Sequence, residues 1–162
     1  MNAVRWWKRV GIMAGVLLVL LAVAQGASDV MIMQITEPEA PLTEQAYSLK
    51  VTMTNTSSRD LTLVKSNPGC DFIASVKAAD GHVVGFTEAG RDLAECKHRL
   101  LLGRRIIVTL HPGETTQDTY PLTGYYDLSL AGSYKVKLQR EMPQSAGGGI
   151  ISSNEVTLVV VR

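Results

Sequence analysis

Tyr125-Tyr126-Asp127-Leu128-Ser129-Leu130-Ala131-Gly132-Ser133-Tyr134-Lys135-Val136-Lys137-Leu138-Gln139 is the stretch that decides the fold. Its second half alternates strictly, with Tyr134, Val136 and Leu138 on one face and Ser133, Lys135, Lys137 and Gln139 on the other. That is the period of a strand with one dry face and one wet face. Leu128, Leu130 and Gly132 place a turn just before it, so Tyr134 opens the strand. A tyrosine in that place can bond back to the preceding turn, as in a late strand of a two-sheet sandwich.

The same period recurs on both sides. Val30 to Ile35 is apolar without clear alternation and reads as a first edge strand, ending before the two prolines of Glu37-Pro38-Glu39-Ala40-Pro41. Tyr47, Leu49, Val51 and Met53 alternate with Ser48, Lys50, Thr52 and Thr54, and Leu61 to Val64 resumes the pattern after a polar turn. That order predicts a hairpin. Asn67-Pro68-Gly69 marks another turn, then Phe72, Ala74 and Val76 alternate as far as Asp80-Gly81. Asp-Gly is a hairpin signal, with His82 to Phe86 as the returning strand. From Glu88 to Leu102 period two is lost, and Leu93, Cys96 and Leu100 fit a loop with a short helical turn.

Ile106, Val108 and Leu110 restore alternation up to His111-Pro112-Gly113-Glu114, and Thr115 to Tyr120 reads as a surface strand. Gly147-Gly148-Gly149 predicts a loose loop. Val156, Leu158 and Val160 alternate with Thr157, Val159 and Val161, so the last strand is apolar on both faces and is expected to be central or covered. The sum is all-β: an Ig-like antiparallel β-sandwich of about 7–9 strands over residues 27–162.

Residues 1–26 stand apart. Arg5, Lys8 and Arg9 precede the uncharged run Val10 to Ala24, and small residues follow at Ala22-Val23-Ala24 and Ala24-Gln25-Gly26. This is a signal peptide, or an uncleaved N-terminal anchor helix spanning residues 10–24 with Trp6 and Trp7 at the interface. About 15 apolar residues fall short of the roughly 20 that span a bilayer. No cysteine follows the run, which closes the lipoprotein route. The expected location is extracytoplasmic, periplasmic or secreted.

Three of the 16 Lys and Arg lie in this segment, leaving 13 against 15 acids. A domain so nearly neutral has no general attraction for nucleic acid, and membrane contact is expected only through the N-terminal segment if it stays attached. Lys97, His98, Arg99, Arg104 and Arg105 form a local basic cluster without interleaved aromatics. Cys70 and Cys96 are the only cysteines, and export favours their pairing as a disulfide. The rival is a metal site of Cys70, Cys96 and His98, although Cys-Lys-His is not a usual zinc spacing.

No catalytic constellation emerges. His82, His98 and His111 are scattered, with no His-Glu-x-x-His and no Gly-x-Ser-x-Gly. No cofactor or metal is expected. Asp71, Asp80 and Asp127 sit beside turns, where aspartate bonds nearby backbone. Asn55-Thr56-Ser57 fits a glycosylation acceptor but reads as a turn. Tyr120, Tyr125 and Tyr126 surround Pro121 and Gly124, and are read as packing over one end of the fold, with a contact surface as the rival.

Five pieces together carry a resemblance: Val51-Thr52-Met53-Thr54-Asn55-Thr56-Ser57; Leu61-Thr62-Leu63; Asp71-Phe72 through Val76 to Asp80-Gly81; Leu110-His111-Pro112-Gly113-Glu114; and Gly132-Ser133-Tyr134-Lys135-Val136. In order and rough spacing they resemble the Ig-like sandwich family that includes the bacterial BsuPI-type proteinase inhibitors, over about residues 45 to 140. The chain departs from that pattern in its export signal, its cysteine pair and the 88–102 insertion. The matches are scaffold positions, so no binding residue carries over.

The expectation is therefore a non-enzymatic domain that binds or braces a protein or another envelope component through loops on a rigid scaffold. The alternative is a BsuPI-like protease inhibitor whose surface loop occupies an active site. The candidate loops are 88–102 and 143–149, and the candidate contacts are Arg99, Arg104, Arg105, Tyr125 and Gly148.

Overall fold

A computed structural model describes residues 30–36, 47–94 and 105–161. The 1–26 segment, Cys96, His98, Arg99 and Arg104 lie outside the described residues. Eight strands dominate: β1 Met31–Thr36, β2 Leu49–Asn55, β3 Leu61–Lys65, β4 Ile73–Ala78, β5 Ile106–Leu110, β6 Thr115–Tyr120, β7 Gly132–Glu141 and β8 Ile150–Val160. Short helical pieces connect some of them: α1 Pro68–Asp71, α2 Glu88–Ala94, α3 Leu122–Tyr125 and a 3₁₀ turn at Gln144–Ala146. The helical turn expected in 88–102 is α2. No described helix is long and apolar enough to cross a membrane.

The strands form three antiparallel sheets, ordered β1-β2-β6, β3-β5 and β4-β7-β8. Period two turns one face of each main strand inward: Met31, Met33 and Ile35 from β1, Leu49, Val51 and Met53 from β2, and Tyr134, Val136 and Leu138 from β7. Thus β1 alternates after all; its outward Ile32 hid the pattern. Val76, Val136 and Val156 lie in one row across the third sheet, and all three are buried. The inward faces of all three sheets join a single hydrophobic cluster.

The expected hairpin between β2 and β3 does not form. β2 pairs with β1 and β6, while β3 pairs with β5. The cause is Asn55, which is fully buried. Its Nδ2 donates to the Arg59 and Leu110 carbonyls, both at 2.8 Å, and its Oδ1 accepts from the Ser57 amide at 2.9 Å and the Ser57 hydroxyl at 2.7 Å. Its backbone bonds Gly113 and Glu114. The 56–60 connection is thereby tied to the 111–114 turn and becomes an arch. Lys65 at the end of β3 then reaches Asp118 of β6 at 2.8 Å. An amide nitrogen so engaged is a turn device and not a glycosylation acceptor.

The Asp80-Gly81 turn does form, with Gly81 at φ 85°. The returning chain makes only isolated bridges, Lys77 with Val83 and Phe86 with Tyr126, so no full strand follows, and β4 pairs with β7. Asp80 Oδ1 accepts from the His82 amide and Asp127 Oδ1 from the Ser129 amide, the local bonding expected of turn aspartates. Tyr134 donates its hydroxyl to the Leu130 carbonyl at 2.7 Å, the expected bond back to the preceding turn.

β8 departs from expectation. Val156, Leu158 and Val160 are buried, but Val159 and Val161 are 47% and 42% exposed, and β7 is its one ladder neighbour among the described strands. Its other side meets β1 through Asn154, whose amide donates to the Ile35 carbonyl at 3.0 Å and accepts from the Ile35 amide at 2.8 Å. A side-chain amide thus replaces a ladder and satisfies two backbone groups. The 143–149 segment is also tighter than a loose loop. Gly147, Gly148 and Gly149 all have left-handed φ, and the amides of Ala146 and Gly148 both donate to the Pro143 carbonyl.

Candidate binding cleft

The aromatic turn and the Asn-Pro-Gly turn, far apart in sequence, meet at one end of the molecule. Asn67 caps α1 by accepting from the Gly69 amide, and Pro68 sits in its first turn. The chain leaves α1 extended at Phe72, which is 2% exposed. α3 carries Tyr125 against this turn. Two glycines permit the approach: a Cβ on Gly69 would lie 2.8 Å from the Tyr125 ring, and one on Gly90 would collide with the Tyr125 carbonyl oxygen. Thr87 locks the contact, since its hydroxyl donates to the Gly124 carbonyl at 2.7 Å and accepts from the Gly90 amide at 3.0 Å.

The rings follow from this docking. Tyr120 meets Phe72 and Tyr125 edge to face, with centroids 6.4 and 5.3 Å apart, and Phe86 lies against Tyr126 at 4.9 Å. Tyr126 donates its hydroxyl to the Ala74 carbonyl at 2.8 Å. Burial pushes all three tyrosine pKa values up, so these phenols stay neutral. Between the rings, α1, β4 and β7 lies a cleft of about 640 Å³.

Arg140 is the cation of this cleft, which Asp71 and Glu141 also line, and is 4% exposed. It continues the inward phase of Tyr134, Val136 and Leu138 along β7. Its Nη2 donates to the Val64 carbonyl at 2.7 Å, its Nη1 meets the Met53 sulfur at 3.6 Å, and its Cζ stands 5.2 Å from the Phe72 ring centroid. The nearest carboxylate oxygen, Asp71 Oδ2, is 3.9 Å from Nη2. Asp71 accepts instead from the Ser66 amide at 2.7 Å and hydroxyl at 2.6 Å. Burial lowers the guanidinium pKa, while Asp71 and then Asp118 oppose that shift. Asp118 pairs with Lys65 through Oδ1, and its Oδ2 has no partner among the described residues.

Of the contacts expected from sequence, Tyr125 forms a cleft wall, half-buried, with its hydroxyl donating to Asn67 Oδ1 at 3.2 Å. Cys70 lines the same cleft. Arg105 is exposed away from it, and Gly148 is buried in the β7–β8 connection beneath Gln144. Arg99 and Arg104 lie outside the described residues, as do Cys96 and His98 of the proposed disulfide and of its metal rival. The structure therefore brings Tyr125 and Cys70 together, and leaves Arg105 and Gly148 apart from them. Sequence reasoning missed Arg140, Phe72 and Phe86 as site residues. For Arg140 a signal existed: parity puts this charge on the dry face of the most regular strand.

No protein-family model matches the chain. Among proteins of known annotation it is similar to a neutral protease 2 homolog from Uncinocarpus reesii (strain UAMH 1704), with 30% identity over 116 residues. The match takes in 67% of this chain, which spans about 30% of that protein's length.

Proposed function

We propose that the chain is an exported, non-enzymatic domain with an Ig-like sandwich fold that binds or braces another macromolecule at the cell envelope. The cleft carries this reading: rigid aromatic rings around a buried guanidinium are the residue types that anchor protein contacts. Export rests on the basic, apolar and small-residue succession of residues 1–26. The Cys70–Cys96 disulfide belongs to the same reading and rests on export together with the chain's having two cysteines.

Photo-crosslinking amino acids placed at Arg105, Gln144 and Phe86 of the exported chain in its own host test the proposal. A discrete partner adduct from at least one position is expected. Failure at all three, with the chain folded and exported, overturns the binding reading.

The second reading is protease inhibition of the BsuPI type through a surface loop. The similarity to a protease homologue over 116 residues favours a protease-linked role. Equimolar chain is expected to slow at least one member of a protease panel, and unchanged rates across the panel remove this reading.

A further inference from the structure

We propose that the cleft takes a large apolar side chain from a peptide, and that Arg140 donates to the neutral backbone carbonyl beside that side chain. The inference rests on the binding reading above and names the ligand class of the same site.

The donors come first. A guanidinium has five N–H groups, and a buried one needs acceptors for them. Arg140 has one carbonyl at 2.7 Å and one thioether at 3.6 Å. The Asp71 carboxylate stands 3.9 Å away and is already held by Ser66. Among the described residues the guanidinium lining the cleft thus has a single oxygen acceptor within hydrogen-bond distance for its five N–H groups.

Charge then decides which acceptor. Lys65 and Arg140 already balance Asp71 and Asp118, with Lys65 claiming Asp118 at 2.8 Å. Glu141 also lines the cleft. A carboxylate ligand would add uncompensated negative charge in a poorly hydrated place, whereas a carbonyl supplies lone pairs without charge.

Shape selects the rest. A volume of about 640 Å³ lies in the range of built ligand sites, and its walls are aromatic. The hydroxyls of Tyr125 and Tyr126 are tied to Asn67 and Ala74, so the rings present carbon to a ligand. Ile73, Val64 and Phe86, 58%, 44% and 44% exposed, extend the apolar wall.

Titration of the full chain with N-acetylphenylalanine amide and with N-acetylphenylalanine, followed by NMR and calorimetry, tests this. The amide is expected to saturate at millimolar concentration and the carboxylate to bind about tenfold more weakly. Phe86→Ala and Ile73→Ser change partly exposed side chains, and each should weaken amide binding about tenfold while circular dichroism shows the fold retained. Arg140→Lys, which keeps the charge but loses the planar fork, should do the same; if it does not fold, the two exposed variants decide. Tighter binding of the carboxylate, no saturable binding of the amide, or full affinity in Phe86→Ala overturns the proposal. A crosslinked partner found from Arg105 or Gln144 but not from Phe86 would remove the cleft and leave the binding reading standing.

Discussion

Asn55 shows what one residue does in this molecule. Its side chain makes four hydrogen bonds while fully buried, and they join the 56–60 arch to β5. Asn55→Ala leaves several buried groups unpaired and is expected to cost roughly 2–4 kcal/mol in urea unfolding. Tyr134→Phe removes a single bond, to the Leu130 carbonyl, and should cost about 1 kcal/mol. The sequence made the tyrosine bond legible because donor and acceptor are four residues apart. It hid the role of Asn55, whose partners include a carbonyl 55 positions away. His111 offers a test by pH. Its hydrogen bond to Asp60, and then the charges of Asp60 and Glu114, raise its pKa. Stability from this pair is fully present below the ordinary imidazole value of about 6.5 and is lost as pH rises through the raised folded value. An NMR titration should place the His111 midpoint above 6.5, and Asp60→Asn should bring it down.

At the scale of elements, turns behave according to their backbone more than their composition. Three successive glycines suggested looseness, yet Gly147 and Gly148 hold left-handed φ in a closed turn, with Val30 and Gln144 close by. Gly147→Ala and Gly148→Ala are each expected to cost about 1–2 kcal/mol, read as lowered thermal midpoints. Strand β5 was found by its alternation, yet most of its apolar residues are not buried. Only Leu110 is buried there, while Ile106 and Ile107 are 52% and 71% exposed, and Ile107 pairs across to an exposed Val64. Ile107→Lys should therefore change unfolding free energy by less than about 0.5 kcal/mol while improving solubility. Periodicity reports which residues can share a face. It does not report whether anything lies over that face.

For the whole molecule, the proposed link between Cys70 and Cys96 would close a loop of about 27 residues and stabilise by roughly 3–4 kcal/mol in the chain-entropy model. Guanidinium unfolding with and without reductant should differ by that amount, and Cys70→Ser should match the reduced chain. Two free thiols in protein from an oxidising compartment would sink the link. The cleft was legible in part: the tyrosine cluster stood out because its members are neighbours in sequence, whereas Phe72, Phe86 and Arg140 come from three distant segments. What the sequence determined by itself was the all-β character, most of the strands, and the inward faces of β2 and β7, because a period of two is fixed by local backbone geometry. Only the tertiary structure decided that β2 turns to β6 and not to β3, that Asn154 joins β8 to β1, and that Arg140 stands over Phe72 short of a carboxylate. Those outcomes depend on hydrogen bonds and burial between residues distant along the chain, which no local pattern encodes.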